Sequence, residues 1–361
     1  MPEARVLDFS YDALPGRVVF GRGAARARLA EEITRLGAHR LLVIAGKSSE
    51  ALAGDLTAPF VDRIAGYFSD VRRHVPAEIV ENAREVAAEL RADALLSLGG
   101  GSATGLAKAV ALTTRLPIVA VPTTYAGSEV TPVWGLTAGG RKTTGVDPAV
   151  LPRTVVYDPE LTTTLSAELS TASGLNAMAH CVEALWAPRR NPVSSLVAEE
   201  GIRVLAAGLP AVVRDGADLD ARADLLYGAY LAGSAFAVAG SGLHHKLCHA
   251  LGGAHDLPHA QTHAIVLPHV LAFNAPGAPD AADRIARALG VDDPVAGLRD
   301  LTARLCTPSG LAALGLREDQ LDEVVRLVEP TIPAGNPVPV DTARLRALLT
   351  AAWAGTTEER R

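Results

Sequence analysis

From Arg17 to Tyr157 the sequence alternates short apolar runs with segments of helical spacing, and no other feature limits the fold so tightly. Arg17-Val-Val-Phe20, Arg40 to Ala45, Asp93 to Leu98, Pro117 to Val121 and Arg153 to Tyr157 read as strands. Ala24 to Leu36, Glu81 to Leu90 and Thr104 to Thr113 read as the helices between them. Apolar runs without in-and-out alternation belong to strands buried on both faces, which means a parallel sheet with helices packed on each side. Val130 to Leu136 and Thr143 to Asp147, around Ala138-Gly139-Gly140-Arg141, read as a hairpin excursion from this pattern.

After Asp158-Pro159 the character changes. Alanine- and leucine-rich stretches of helical spacing follow, broken at Pro188 to Pro192, Gly208 to Pro210, Asp215-Gly216 and Ala275 to Pro279. A loop from Pro333 to Pro339 precedes a last helix from about Thr342. The expected architecture is a Rossmann-like α/β domain over residues 1–157 and an all-helical domain over 158–361.

Hydrophobic types make up 48% of the 361 residues, enough apolar material for two cores. The net charge of −6 is mild and the basic residues are scattered, which disfavours a nucleic-acid or anionic membrane partner. Cys181, Cys248 and Cys306 are far apart with no CxxC pair, as suits a reducing compartment. Met1-Pro-Glu-Ala-Arg-Val6 lacks the basic and apolar regions of a signal peptide, and no apolar run is long enough to span a membrane. A cytoplasmic protein acting on a small molecule is expected.

Gly99-Gly100-Gly101-Ser102 falls between a strand and a helix, where glycines admit a close pyrophosphate and the helix start offers free amides. The spacing is not GxGxxG, so a tight strand-to-helix turn is the competing reading. Thr123, Thr124, Tyr125 and Ser128 follow the next strand. Two such loops at neighbouring strand ends form the crevice in which doubly wound sheets bind nucleotides. No Walker sequence is present. Gly46-Lys47-Ser48-Ser49, after the strand ending at Ala45, has no acid to select a ribose hydroxyl, which leaves NADH and NADPH both open.

Seven of the ten histidines lie between His244 and His269. His245 and His249 are four apart and share one helix face; His259 follows Pro258 after a short turn; Asn176 and His180 again are four apart. Imidazoles converging from two helices and a loop suit a transition metal, zinc, iron or nickel. The expected carboxylate is replaced by the amide of Asn176, so the pocket has the form of a metal site with one anchor removed. Single histidines are more often surface or core residues, and His39, His74 and His269 are read that way.

Together these residues resemble the iron-containing alcohol dehydrogenase superfamily, whose fold is shared with dehydroquinate synthase. The resemblance spans nearly the whole chain. It rests on Gly99 to Ser102, Pro122 to Glu129, Lys142, Asp158-Pro159, Asn176/His180, His245/His249 and Pro258-His259. It implies cofactor contacts from Gly99, Gly100, Gly101, Ser102, Thr123, Thr124, Ser128 and Lys142. An aspartate and three histidines hold the family's metal, and their positions fall on Asn176, His180, His245 and His259. The aspartate's loss, with Gly242-Leu-His-His-Lys-Leu-Cys-His249 and Glu183 to Pro188, is similar to the maleylacetate reductases, a branch of the superfamily.

That branch implies NADH- or NADPH-dependent reduction of the conjugated double bond of maleylacetate to 3-oxoadipate, in the breakdown of aromatic compounds, by a homodimer. Hydride added β to a ketone forms an enolate, which imidazole groups can stabilise, so that a metal is not required. His180, His245, His249, His259 and Asn176 are the expected catalytic set. His244, Lys246 and Tyr125 are expected to hold the substrate, though residues adjacent to His245 on a helix need not face its way. A metal-dependent alcohol or polyol dehydrogenase is the rival enzyme. A lyase of the dehydroquinate synthase type and a non-catalytic NAD-binding protein are weaker rivals.

Overall fold

A computed structural model describes residues 9–14, 16–139, 141–305 and 308–355; Cys306 and the Met1 to Val6 segment lie outside them. The first half contains β1 (Arg17–Phe20), α1 (Ala24–Leu36), β2 (Leu41–Ala45), α2 (Glu50–Thr57), β3 (Ile64–Phe68), α3 (Ala77–Glu89), β4 (Ala94–Gly99), α4 (Gly101–Thr114), β5 (Ile118–Pro122), the hairpin strands β6 (Val133–Ala138) and β7 (Arg141–Val146), and β8 (Thr154–Tyr157). Six strands form one parallel sheet in the order β1-β8-β5-β4-β2-β3, while β6 and β7 pair antiparallel apart from it. The parallel sheet and the hairpin agree with the pattern of the sequence. The fold adds β3 and α2, which the sequence reading passed over.

Every residue of β2, β4, β5 and β8 is buried, as a sheet covered on both faces requires. One face packs Leu29, Ile33 and Phe60 against Leu41, Val43 and Leu96, and the other packs Ile79, Ala83 and Leu106 against Leu42, Ile44 and Leu95. Each fully buried leucine or isoleucine contributes roughly 1.5–3 kcal/mol relative to an exposed one. Asp158, straight after β8, caps α1: its carboxylate accepts the Gly23 and Ala25 amides at 3.0 Å each. This ties the end of the sheet to the start of the chain, with an anion at the positive end of a helix.

The remainder is helical: α5 (Ala167–Ala184), α6 (Pro192–Arg214), α7 (Leu219–Ala239), α8 (Leu243–His255), α9 (His259–Asn274), α10 (Pro279–Leu289), α11 (Pro294–Arg304), α12 (Leu321–Val328) and α13 (Thr342–Ala354). No strand follows Tyr157 among the described residues. Polar residues stop and start these helices as capping chemistry demands: Asn191 opens α6 with a reciprocal box to Ser194, and Asp218, Asp293 and Asp341 cap α7, α11 and α13. Residues Ser170 to Ala184 of α5 are all buried, so α5 is the central helix against which α6, α7 and α9 pack. No single described helix is long and apolar enough to cross a membrane. α7 and α8 bend by 104° at Gly240 to Gly242, which turns the start of α8 toward α5.

Candidate active site

A cleft of about 380 Å³ runs from the carboxyl ends of β4 and β5 to the helices α5, α8 and α9. At its sheet end, Gly99 has a φ of 143°, a backbone that residues with a side chain rarely adopt. A Cβ on Gly100 would lie 2.8 Å from Thr124 Cγ2, so the two loops touch only because Gly100 is bare. No side chain caps the start of α4, which leaves its first amides for a ligand anion. Gly101, Ser102, Thr124 and Ser128 line the cleft; Gly99, Gly100 and Thr123 shape the turn behind it, where the Thr123 amide donates to Gly99 O at 3.0 Å. This cradle fits the pyrophosphate of a dinucleotide.

At the helical end the structure brings Asn176, His180, His245, His249 and His259 into the same cleft. The His180 and His245 rings stack at 4.9 Å and 13°, with Phe236 against both at 4.8 and 4.5 Å. His249 lies one turn on, its ring 6.0 Å from that of His245. Asn176 Oδ1, His180 Nδ1 and His245 Nε2 are buried with no hydrogen-bond partner among the described residues. Burial holds His245 down at about 3 and places His180, His249 and His259 well below the usual imidazole range.

Glu183 is the residue that sequence reasoning passed over. It lies on α5 one turn beyond His180, and its carboxylate accepts the His244 amide at 2.8 Å at the start of α8. Its other oxygen binds His245 Nδ1. Burial pushes the Glu183 carboxyl up as it pushes His245 down, and both shifts favour a pair without net charge. Such a pair holds two protons, one between the carboxyl and Nδ1 and the other on Nε2. His245 therefore presents an N–H to the cleft. The phrase Glu183 to Pro188 is visible in the sequence, but nothing local to it announces that α8 will start against it.

Three expected substrate residues are placed elsewhere. The Tyr125 hydroxyl is fully buried, donating to Thr162 Oγ1 at 3.2 Å and accepting from Arg222 at 2.9 Å, so it faces the core. His244 lies about 100° around α8 from His245 and pairs instead with His263, Nε2 to Nδ1 at 2.8 Å, beside Cys248. The metal-capable atoms of His244, Cys248 and His263 are within 4.8 Å of one another, with His244 Nε2 and His263 Nδ1 bonded to each other and the second nitrogen of each ring unpartnered among the described residues. Lys246 does not line the cleft. Two further residues reach the cleft, Lys142 from the expected cofactor set and His74 from outside it. Lys142 extends from β7 into the cleft, and His74, read as a bystander, forms part of its rim. His74 and Val75 have φ of 59° and 52°, and His74 Nε2 lies 3.4 Å from Asp256, itself at φ 52°.

The cleft offers a divalent metal only neutral donors. His180, His245 and His259 are neutral imidazoles, Asn176 offers a neutral amide oxygen, and no aspartate or glutamate lines the cleft among the described residues. The Glu183 carboxyl is engaged behind His245, and Asp256 stands outside at the rim beside His74. Hard divalent ions favour anionic oxygen donors and fit this set poorly, whereas zinc or iron(II), which imidazole suits, would have His180, His245 and His259 but no anionic ligand.

Known proteins match this chain along both of its halves. The family model for iron-containing alcohol dehydrogenases matches residues 15–159, and that for the Fe-containing alcohol dehydrogenase family, C-terminal, matches residues 170–353. A maleylacetate reductase of Sphingobium indicum is 49% identical over 349 residues, covering 97% of this chain and 98% of its own. The crystal structure of a maleylacetate reductase from Agrobacterium tumefaciens superposes with a TM-score of 0.91 at 45% identity, covering 97% and 99% of the two chains. An iron-containing alcohol dehydrogenase from Corynebacterium glutamicum gives a TM-score of 0.93 at 49% identity, covering 97% and 98%. With matches along both halves and at this identity, the chain belongs to the iron-containing alcohol dehydrogenase family, in the branch of the maleylacetate reductases.

Proposed function

We propose that this protein is an oxidoreductase that reduces the carbon–carbon double bond of maleylacetate, giving 3-oxoadipate. The carrying observation is a cleft that joins a dinucleotide cradle to imidazoles with no acidic metal ligand among them. Similarity to maleylacetate reductases over nearly the whole chain supports the same substrate. The reading divides the chain into a dinucleotide-binding domain, residues 1–157, and a helical catalytic domain, residues 158–361.

A bound nicotinamide, from NADH or NADPH, supplies hydride to the carbon β to the ketone. Gly99 to Ser102 and Thr123 to Ser128 hold the dinucleotide. The electron pair of the double bond moves onto the ketone oxygen, and the His245 Nε2 proton stabilises the resulting enolate. Asn176, His180, His249 and His259 line the same cleft, and the His245 Nε2 proton passes to the α carbon while Nδ1 takes up the proton it shares with Glu183, leaving a carboxylate that water reprotonates. Nothing in this sequence needs a metal as Lewis acid.

The reading also takes the protein as a cytoplasmic homodimer. Buried free Cys181 and Cys248 support a reducing location. The edge strand β1, with Phe9, Tyr11 and Phe20 exposed at or near it, supports association of two copies.

Consumption of NADH and of NADPH with freshly generated maleylacetate, before and after exhaustive chelation, tests the proposal. Turnover that survives chelation is expected. Oxidation of simple alcohols with no action on maleylacetate would overturn it in favour of an alcohol dehydrogenase.

A further inference from the structure

The wall behind the cleft contains a second polar cluster. His244 and Cys248 are four apart on α8 and share one face of it, and α8 packs on α9, which brings His263 to them. All three side chains are interior: His244 and Cys248 are 1% exposed and His263 is 0%. None of them lines the cleft. The His263 ring is 4.3 Å from that of His259 and 4.9 Å from that of His245, so the cluster stands directly behind the cleft imidazoles.

Hydrogen bonding within the cluster is incomplete. Between two neutral imidazoles the 2.8 Å contact uses one proton and one lone pair. The outer nitrogens, His244 Nδ1 and His263 Nε2, are then one bare lone pair and one N–H, both buried and unpartnered among the described residues. That is a costly way to fill a core. The inner atoms converge instead. His244 Nε2 lies 2.8 Å from His263 Nδ1 and 3.7 Å from Cys248 Sγ, and the ligand atoms of all three residues lie within 4.8 Å of one another. Tetrahedral zinc, bound at about 2.0 Å to nitrogen and about 2.3 Å to sulfur, holds two nitrogens about 3.3 Å apart and nitrogen and sulfur about 3.5 Å apart. A ring shift of roughly 0.5 Å reaches that spacing. The donor chemistry also differs from that of the cleft. Every cleft donor is neutral, whereas Cys248 offers a thiolate, the soft anionic ligand that selects zinc over magnesium or calcium.

We infer that His244, Cys248 and His263 form a buried zinc site, separate from the cleft, that ties α8 to α9 behind the cleft imidazoles. On binding, the zinc–sulfur bond forms as the Cys248 thiol proton leaves to solvent. The proton shared by the two rings moves to the bare outer nitrogen, so each ring gives the ion an inner lone pair and stays neutral. Water takes the fourth position. The ion carries no step of the reduction, and the inference is independent of which substrate the cleft accepts.

The test adds cobalt(II) to the full chain as a stand-in for zinc. A thiolate bound to cobalt(II) gives a near-ultraviolet charge-transfer band that imidazole and water ligands do not. Wild-type protein is expected to show this band and to lose it when zinc is added. His180→Ala, which removes a cleft imidazole, keeps the band, and Cys248→Ser loses it. Zinc affinity is measured by calorimetry on the His180→Ala background. Adding Cys248→Ser there is expected to weaken it by at least about one-hundred-fold, since losing a group that only supports a ligand already costs about ten- to one-hundred-fold. Wild-type protein without the band overturns the inference whether or not the variants fold. So does a band that survives Cys248→Ser, or a zinc affinity that this substitution leaves unchanged. A band lost in folded His180→Ala overturns it too, by setting the ion in the cleft.

Discussion

Glu183 and His245 are joined carboxyl to Nδ1 with side-chain exposures of only 1% and 3%, and the same carboxyl receives the first amides of α8. One acidic group thus fixes a helix start and the proton inventory of a catalytic ring. The two tasks can be separated. Glu183→Gln keeps an oxygen on the His244 amide and turns its NH2 to Nδ1, which holds the His245 proton on Nε2, whereas Glu183→Leu supplies neither group. The expected result is a fall in kcat of about 10²–10³ for Glu183→Leu, the effect of losing one oxyanion donor, and recovery of most of it in Glu183→Gln, with cofactor affinity unchanged. Steady-state kinetics with a cofactor titration measures this; a Leu variant within a few-fold of wild type would show that His245 does not act as a donor.

Removing the ring itself should cost a similar amount. His245→Ala and His249→Ala are each expected to lower kcat by roughly two to three orders of magnitude, ~2.7–4 kcal/mol of barrier. NADH binding is expected to stay near wild type, because the cradle of Gly99 to Ser102 lies at the other end of the cleft. Fluorescence titration and turnover on the same preparations separate the two effects.

Asn176 gives a prediction of gain. Its Oδ1 is buried, unpartnered and aimed among the imidazoles. Asn176→Asp supplies the anionic donor that the cleft lacks, and affinity for zinc or iron(II) is expected to rise by roughly one to two orders of magnitude. Metal titration by calorimetry decides it. An unchanged affinity would mean that the imidazoles have drifted from metal geometry by more than one residue's worth.

Much of this site was legible because it is local. The i, i+4 spacing of Asn176/His180 and His245/His249, and the Pro258-His259 turn, lie within single helices or at their starts, where spacing alone sets direction. The buried strands were equally plain. β3 escaped notice because Ile64-Ala-Gly-Tyr-Phe68 is a partly exposed edge strand interrupted by Gly66. Tyr125 misled because a hydroxyl in a cofactor loop can turn inward, here to Arg222. Glu183 and His74 could not be read in advance, since each acquires its part from an element distant in sequence, and Lys142 was named only through the resemblance.

Stability should depend on pH in one direction. Burial holds His244 at about 3 and His269 at about 4, against an ordinary value near 6.5. Between those values the unfolded chain takes up protons that the folded chain refuses, so stability is lost as pH falls below about 6.5. Each imidazole costs up to about 1.4 kcal/mol per pH unit across that window. Melting temperatures from pH 8 to pH 5 are expected to stay level and then drop; a flat profile down to pH 5 would contradict the buried, neutral state of these rings.

The rim has a consequence for traffic through the cleft. His74 comes from the sheet half and Asp256 from the end of α8, and both stand, with Val75, in left-handed backbone that non-glycine residues adopt reluctantly. Thr137 fastens this stretch, its amide donating to Val75 O at 3.0 Å and its hydroxyl to His74 O at 2.8 Å. The doorway is therefore framed by main chain more than by charge, because the Asp256 side of the ion pair is open to solvent. Salt, which screens ion pairs at a surface, will leave its aperture nearly unchanged, whereas glycine at these positions would loosen the frame and alter how quickly ligands come and go.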